Sequence, residues 1–206
     1  NILVEGRVHT DPAVLRALID LQRGDPLFAF DPAQAQEMIG RLSWVRDVHV
    51  ERRLPDTVYI GLIEREPIAL WQHKGKLRVI DNEGVTITTE LTAGMKGLPI
   101  VVGEEANKAA AELLALVAAD PDLKGRLEAA TWVGARRWDM SFAGGVTVRL
   151  PEGDLAPALS RLSDAQRRDR VLEGDIESID LRQPDRMVLR PRAGAVRDYK
   201  ASYTPI

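Results

Sequence analysis

Two Asp-Pro dipeptides, Asp11-Pro12 and Asp31-Pro32, dictate what roughly the first seventy residues can become. An aspartate accepts hydrogen bonds from the free amides at a helix start, and a proline in the first helical position forfeits no useful donor. Behind the first pair, Val14, Leu15, Leu18 and Ile19 recur at helical spacing; behind the second, Ala35, Met38, Ile39 and Leu42 do the same. Gly24-Asp25-Pro26 separates the two helices, and Ser43-Trp44 ends the second. An apolar run over 2–8 precedes them. Two alternating runs follow, with Val48 and Val50 in the first and Val58, Ile60 and Leu62 in the second, joined by a tight turn at Leu54-Pro55-Asp56. The predicted order is β-α-α-β-β, a small α+β unit.

Glu66-Pro67 marks the end of that unit, because proline interrupts strand pairing. Beyond it the pattern predicts strands at 68–71, 77–80, 85–88 and 98–102, with turns at Lys74-Gly75 and Asp81-Asn82-Glu83-Gly84. A helix is predicted over 107–119, ended by Asp120-Pro121. Strands at 130–133, 138–142 and 146–150 come next, the last two forming a hairpin around Ala143-Gly144-Gly145. A helix over 155–170 takes Pro157 in its first turn, and strands at 176–181 and 187–190 close the pattern. The expected boundaries are 1–67, 68–190 and a mobile tail over 191–206. The second domain is expected to hold an antiparallel sheet and two helices.

The 206 residues carry 28 Lys and Arg against 31 Asp and Glu, so no overall basic field is available for nucleic acid. There is no cysteine, which excludes disulfides, thiolate metal sites and cysteine nucleophiles. The three histidines, His9, His49 and His73, have no metal-binding spacing. Ser141 and Ser160 lack a nucleophile elbow, and Gly144-Gly145 lacks the lysine of a phosphate loop. Glu64 and Glu66 share a strand face, but read as solvated strand-end charges. The pairs Arg52-Arg53, Arg136-Arg137 and Arg167-Arg168 lack interleaved aromatics and read as solvated faces. Trp44, Trp71, Trp132 and Trp138 read as core anchors. The longest nearly apolar run, 109–119, is broken by Glu112 and falls short of the ~20 residues that span a bilayer. The start at Asn1 rather than Met is expected of a fragment or processed form.

The segment 178–190 stands apart. A last strand in a sheet is often an edge, and an edge offers unpaired amides and carbonyls to which a partner can add a strand. Pro184, Arg182, Asp185 and Arg186 are equally compatible with blocking such pairing.

Ile2-Leu3-Val4-Glu5-Gly6 with His9-Thr10 resembles the opening of an FtsQ-type POTRA domain. Leu42-Ser43-Trp44-Val45 and the run from Val48 to Asp56 are similar to that family's Trp-Val…Val-x-Val-x-Arg-x-x-Pro-Asp stretch. The run from Val58 to Trp71 is similar to its Glu-x-x-Pro-Ile-Ala-x-Trp continuation. Val79-Ile80-Asp81-Asn82-Glu83-Gly84 matches an Asp-x-x-Gly hairpin, and Ser178-Ile179-Asp180-Leu181-Arg182 matches a late Asp-Leu-Arg strand. In order and over nearly the whole chain, these pieces resemble the FtsQ/DivIB family of bacterial cell-division proteins.

The resemblance implies a POTRA domain followed by a β-rich domain. It implies a periplasmic region behind a cytoplasmic tail and one inner-membrane helix, acting at the septum. It implies no catalysis, no cofactor and no metal. The expected role is a scaffold bridging early and late division proteins, with FtsB and FtsL as partners, FtsK, FtsW and FtsI as further ones, and control of septal peptidoglycan synthesis as the outcome. Partner binding is expected at Arg182, Gln183, Asp185, Met187 and Leu189, with Arg182 engaging a partner carboxylate. Gln183 stands where the family often has an aromatic. A recruitment surface is expected on the POTRA domain at Asp47, Val50 and Arg52. The alternative is a POTRA module for polypeptide transport or chaperoning in an outer-membrane secretion system. A peptidoglycan hydrolase has little support in the sequence.

Overall fold

The computed structural model describes residues 1–22 and 24–194. They gather into two compact units: residues 1–70 with 76–98, and residues 71–75 with those from 99 onward.

The first unit opens with β1 (Ile2–Glu5), α1 (Pro12–Ile19), α2 (Pro32–Gly40), β2 (Val45–Arg53) and β3 (Thr57–Glu64), the expected β-α-α-β-β order. β3 is central, parallel to β1 and antiparallel to β2. Both helices start as their sequences dictate. Asp11 accepts from the Ala13 amide at 2.7 Å, and Asp31 from those of Ala33 at 2.9 Å and Gln34 at 3.3 Å. Leu15, Ile19, Ala35 and Ile39 pack against Val48, Val50, Val58, Ile60 and Leu62. β1 stops at Glu5 rather than running to residue 8, because Gly6 takes φ +77°. A Cβ there would lie 2.0 Å from the Leu62 carbonyl oxygen, so only glycine fits. β2 begins at Val45, earlier than its alternation suggests, because a bulge between Val45 and Asp47 shifts the register.

β4 (Ala69–His73) leaves this unit after Leu70, and the hairpin of β5 (Lys76–Ile80) and β6 (Thr86–Thr88) returns to it. Trp44, Leu70 and Leu98 pack on Val79, Ile87 and Met95. Asp81 is 1% exposed. One of its oxygens accepts the amides of Glu83 at 2.9 Å and Val85 at 2.8 Å; the other accepts Arg65 Nη1 at 2.5 Å. Arg65 also reaches Glu83 at 2.9 Å, and Glu83 pairs with Arg46 at 2.9 Å. Burial works against the Arg65 charge, but Asp81 and Glu83 more than compensate and raise its pKa. Packing therefore continues past Glu66-Pro67.

The second unit contains β7 (Ile100–Val102), α3 (Ala106–Ala118), α4 (Pro121–Arg126), β8 (Leu127–Val133), β9 (Arg137–Phe142), β10 (Val146–Glu152), α5 (Ala156–Asp169), β11 (Ile176–Asp180) and β12 (Val188–Pro191). Its strands run in the order β12-β11-β10-β9-β8-β7. The expected antiparallel sheet is mixed instead. β8, β9 and β10 form an antiparallel meander, but β7 runs parallel to β8 and β10 parallel to β11. Parallel neighbours need a long crossover, which α3 with α4 supplies in one case and α5 in the other. This unit has three helices where two were expected, because Asp120-Pro121 starts α4. Of the four tryptophans only Trp138 is fully buried, at 1% exposure. Trp44 stacks on His9, Trp71 on His73, and Trp132 tilts against Trp138. Pro191 still belongs to β12, and the Arg192 amide bonds the Asp175 carbonyl at 2.9 Å. The rest of the expected tail, 195–206, lies outside the described residues.

Candidate partner-docking edge

β12 ends the strand order of its unit, and among the described residues nothing pairs with its outer side. It lies antiparallel to β11, with Val188 opposite Asp180, Leu189 opposite Ile179 and Arg190 opposite Ser178. Side chains of a strand alternate between faces. Leu189 is half-buried on the side of the buried Ile179, while Val188 is 53% exposed and Arg190 is exposed on the other. Met187, just before the strand, is half-buried.

Residues 181–187 connect β11 to β12. Arg182 folds back on Asp180, with Nε 2.9 and 3.0 Å from the two carboxylate oxygens and Nη2 2.6 Å from one of them. The Arg182 amide donates to the same carboxylate at 3.0 Å. The guanidinium holds the Asp180 carboxyl below its usual range, and the carboxylate raises the arginine in turn. Nη1 of Arg182 makes no hydrogen bond among the described residues. Gln183 accepts from Arg186 Nε through its side chain. Asp180, Arg182, Gln183, Arg186 and Val188 line an open depression of about 370 Å³. Asp185 is exposed.

The structure thus brings Arg182 and Gln183 to the depression beside the edge, leaves Leu189 on the opposite side of the strand from Val188, and half-buries Met187 just before it. Sequence reasoning missed two contributors. Asp180 orients Arg182, and Arg161 of α5 donates to the carbonyls of Leu181 at 3.2 Å, Gln183 at 3.0 Å and Arg186 at 3.3 Å. No local signal pointed to Arg161, since its partners lie twenty or more positions away. From 182 to 192 the chain carries Arg182, Arg186, Arg190 and Arg192 against Asp185 alone. Such an edge suits an extended acidic segment. Main-chain bonds supply affinity and the charges supply orientation.

The other expected surface lies on β2, an edge of the β1-β3-β2 sheet. Here Val50 is a correction: it is 5% exposed and belongs to the core, because it alternates inward with Val48. Its side chain is not available to a partner. Asp47 and Arg52 are exposed, and Asp47 borders a groove of about 510 Å³ between α2 and β2. Arg52 lies over the Phe28 ring at 6.0 Å. This edge is blunted. Gln36 accepts the Val50 amide at 3.1 Å and Asp47 accepts the Val48 amide at 2.9 Å, so an added strand would have to displace them.

The remaining candidates have structural partners. Glu64 is not a solvated charge: it accepts the amides of His9 at 2.7 Å and Thr10 at 2.9 Å. Each arginine doublet meets carboxylates, Arg53 with Glu51, Arg136 with Glu152, Arg167 with Asp164 and Arg168 with Asp169. Among the described residues no three of His, Asp and Glu converge to hold a metal, and no helix is long and apolar enough to cross a membrane.

Comparison with known proteins matches residues 1–65 to the POTRA domain, FtsQ-type, and residues 69–182 to the C-terminal region of cell division protein FtsQ/DivIB. Among similar proteins is the cell division protein FtsQ of Caulobacter vibrioides, 38% identical over 192 residues, covering 93% of this chain and 64% of that protein. That of Zymomonas mobilis is 36% identical over 89% of this chain and 58% of its own length. That of Rickettsia felis is 32% identical over 90% of this chain and 69% of its own length. The chain therefore spans under two thirds of the first two relatives. Matches of FtsQ type in both halves do not favour the polypeptide-transport alternative. Mixed α+β architecture, family models and relatives agree, and the chain belongs to the FtsQ/DivIB family of cell division proteins.

Proposed function

We propose that this chain is the periplasmic part of a single-pass inner-membrane protein that serves the divisome as a non-catalytic scaffold at the septum. In this reading it binds FtsB, with FtsL, by accepting a strand of FtsB along β12, and so helps control septal peptidoglycan synthesis. FtsK, FtsW and FtsI are further partners, with the exposed side chains of Asp47 and Arg52 serving recruitment. Family membership supports the division role. The observation that carries the binding site is the unpaired, basic β12 edge beside Arg182.

The mechanism follows from that geometry. A partner strand lying along β12 satisfies its outward amides and carbonyls, a contact indifferent to side-chain identity. Gln183 therefore need not supply the area of an aromatic; Met187 and Leu189 contribute apolar surface on one side. Asp180 fixes Arg182 through Nε and Nη2, leaving Nη1 to meet a carboxylate of the partner.

Arg182→Glu places like charge beside Asp180 and opposite an acidic partner. Binding of the periplasmic FtsB segment, followed by calorimetry, is expected to weaken at least tenfold. An exposed pair contributes only about 0–1 kcal/mol to folding, so the thermal midpoint should move little. Binding equal to the unaltered chain would place the contact elsewhere.

A further inference from the structure

Residues 181–187 would be expected to hang loosely between β11 and β12, since the connection has seven residues and includes Pro184. It is tied from outside instead. Arg161, half-buried on α5, presents one guanidinium to three of its backbone carbonyls: Nη2 to Leu181, Nη1 to Gln183 and Arg186. These are charge-assisted bonds, and they use the fork of the guanidinium against carbonyls that lie outside β11 and β12. Among the described residues Arg161 makes no ion pair, so its bonding capacity goes to this connection. The helix beneath is fixed by burial of Ala158, Leu159, Leu162 and Ala165. The connection is thereby bonded to an element that is itself anchored by burial.

We propose that Arg161 is a positioning residue for the β12 edge: it holds the 181–187 connection in the one shape that lets β12 accept a partner strand. The second half of this statement rests on the proposed FtsB reading; the first does not. Only the fraction of molecules with a formed edge can bind, so loosening the connection lowers the apparent affinity by that fraction. Arg161 touches no partner strand in this arrangement, so the loss falls on association rather than dissociation.

The full chain with Arg161→Met keeps the apolar stem and removes the donors; Arg161→Lys keeps the charge without the fork. Amide exchange is read first, in the free protein. In the Met variant the amides of Gln183 and of 185–190 should exchange at least tenfold faster, with those of β8 and β9 unchanged and the thermal midpoint close to that of the unaltered chain. Binding kinetics with the periplasmic FtsB segment should show the association rate down about tenfold, the dissociation rate within twofold, and the Lys variant in between. Unchanged exchange at 183–190 would overturn the positioning role, as would a uniform rise across the sheet, which marks general destabilisation. Faster dissociation with unchanged association would make Arg161 a contact residue instead. If the unaltered chain does not bind the segment at all, the FtsB reading falls, while the exchange result still decides whether Arg161 shapes the edge.

Discussion

Glu64 sits where a strand-end carboxylate would normally meet only water, and it stabilises a loop instead. Its two oxygens accept the amides of His9 and Thr10, closing the segment between β1 and α1 onto the end of β3. Burial alone would push its pKa up. The hydrogen bonds from Thr10 and His9 outweigh that and hold it below its ordinary value of 4.5. The folded chain therefore takes up this proton less readily than the unfolded chain. The stabilisation is complete above the ordinary carboxylate range, and it is lost as the pH falls through the lower, folded value. Glu64→Gln is expected to cost about 1–2 kcal/mol at pH 7, less than the roughly 1.5–3 kcal/mol of hydrogen bonds to a charged group because the Gln carbonyl still accepts one amide. Urea midpoints measured from pH 7 down to pH 3 should converge for the variant and the unaltered chain. A gap that stays constant across that range would mean that the carboxylate charge plays no part.

At the scale of elements, α4 depends on one residue. Asp120 accepts the amides of Asp122 at 3.0 Å and Leu123 at 3.3 Å through one oxygen, and the Ser163 hydroxyl of α5 through the other. Leu123, 1% exposed, is what the short helix delivers to the core. Asp120→Ala should lower unfolding stability by about 1–2 kcal/mol, as loss of a helix cap does, while Asp120→Asn should retain most of it; denaturant unfolding measures both. Asp120-Pro121 has the same chemistry as Asp11-Pro12 and Asp31-Pro32, so α4 was legible in the sequence. It was hidden because the preceding helix needed an end and the dipeptide supplied one. The mixed sheet was not legible. Alternation in β10 and β11 reports which side chains point inward, but the direction of the neighbouring strand leaves no trace in it. The burial of Val50 was legible, since it alternates with Val48. Arg182 was found through a local motif. Arg161 bonds backbone carbonyls, which any residue carries, so no pattern of residue types could have marked it.

On the scale of the whole chain, composition and packing divide the molecule at different places. Proline at 67 and the two family matches, ending at 65 and beginning at 69, fall together. Contacts nevertheless assign residues 76–98 to the same compact unit as the POTRA region. Two interactions account for this. Trp44, just before β2, finds its apolar partners in Val79, Ile87 and Met95. Arg65, just beyond β3, has its carboxylates in Asp81 and Glu83, and Asp81 is itself buried and organises the turn between β5 and β6. A chain cut after residue 67 loses both, leaving Trp44 with only its stack on His9 and Arg65 without its carboxylates. A chain continued to residue 98 keeps both. The larger of two such fragments carries more surface and an additional hairpin, yet it is expected to be the more stable. Recovering a large apolar contact and a partly buried ion pair is worth about 2 kcal/mol, and for a domain of this size each kcal/mol moves the midpoint by roughly 4–8 °C. Thermal unfolding followed by far-ultraviolet circular dichroism should thus place the 1–98 fragment about 10 °C above 1–67. Within 1–98, Asp81→Ala should remove much of that difference, because it breaks the turn and the ion pair together. Equal midpoints for the two fragments would mean that the POTRA region folds by its own core alone, and that the hairpin rests on it without strengthening it.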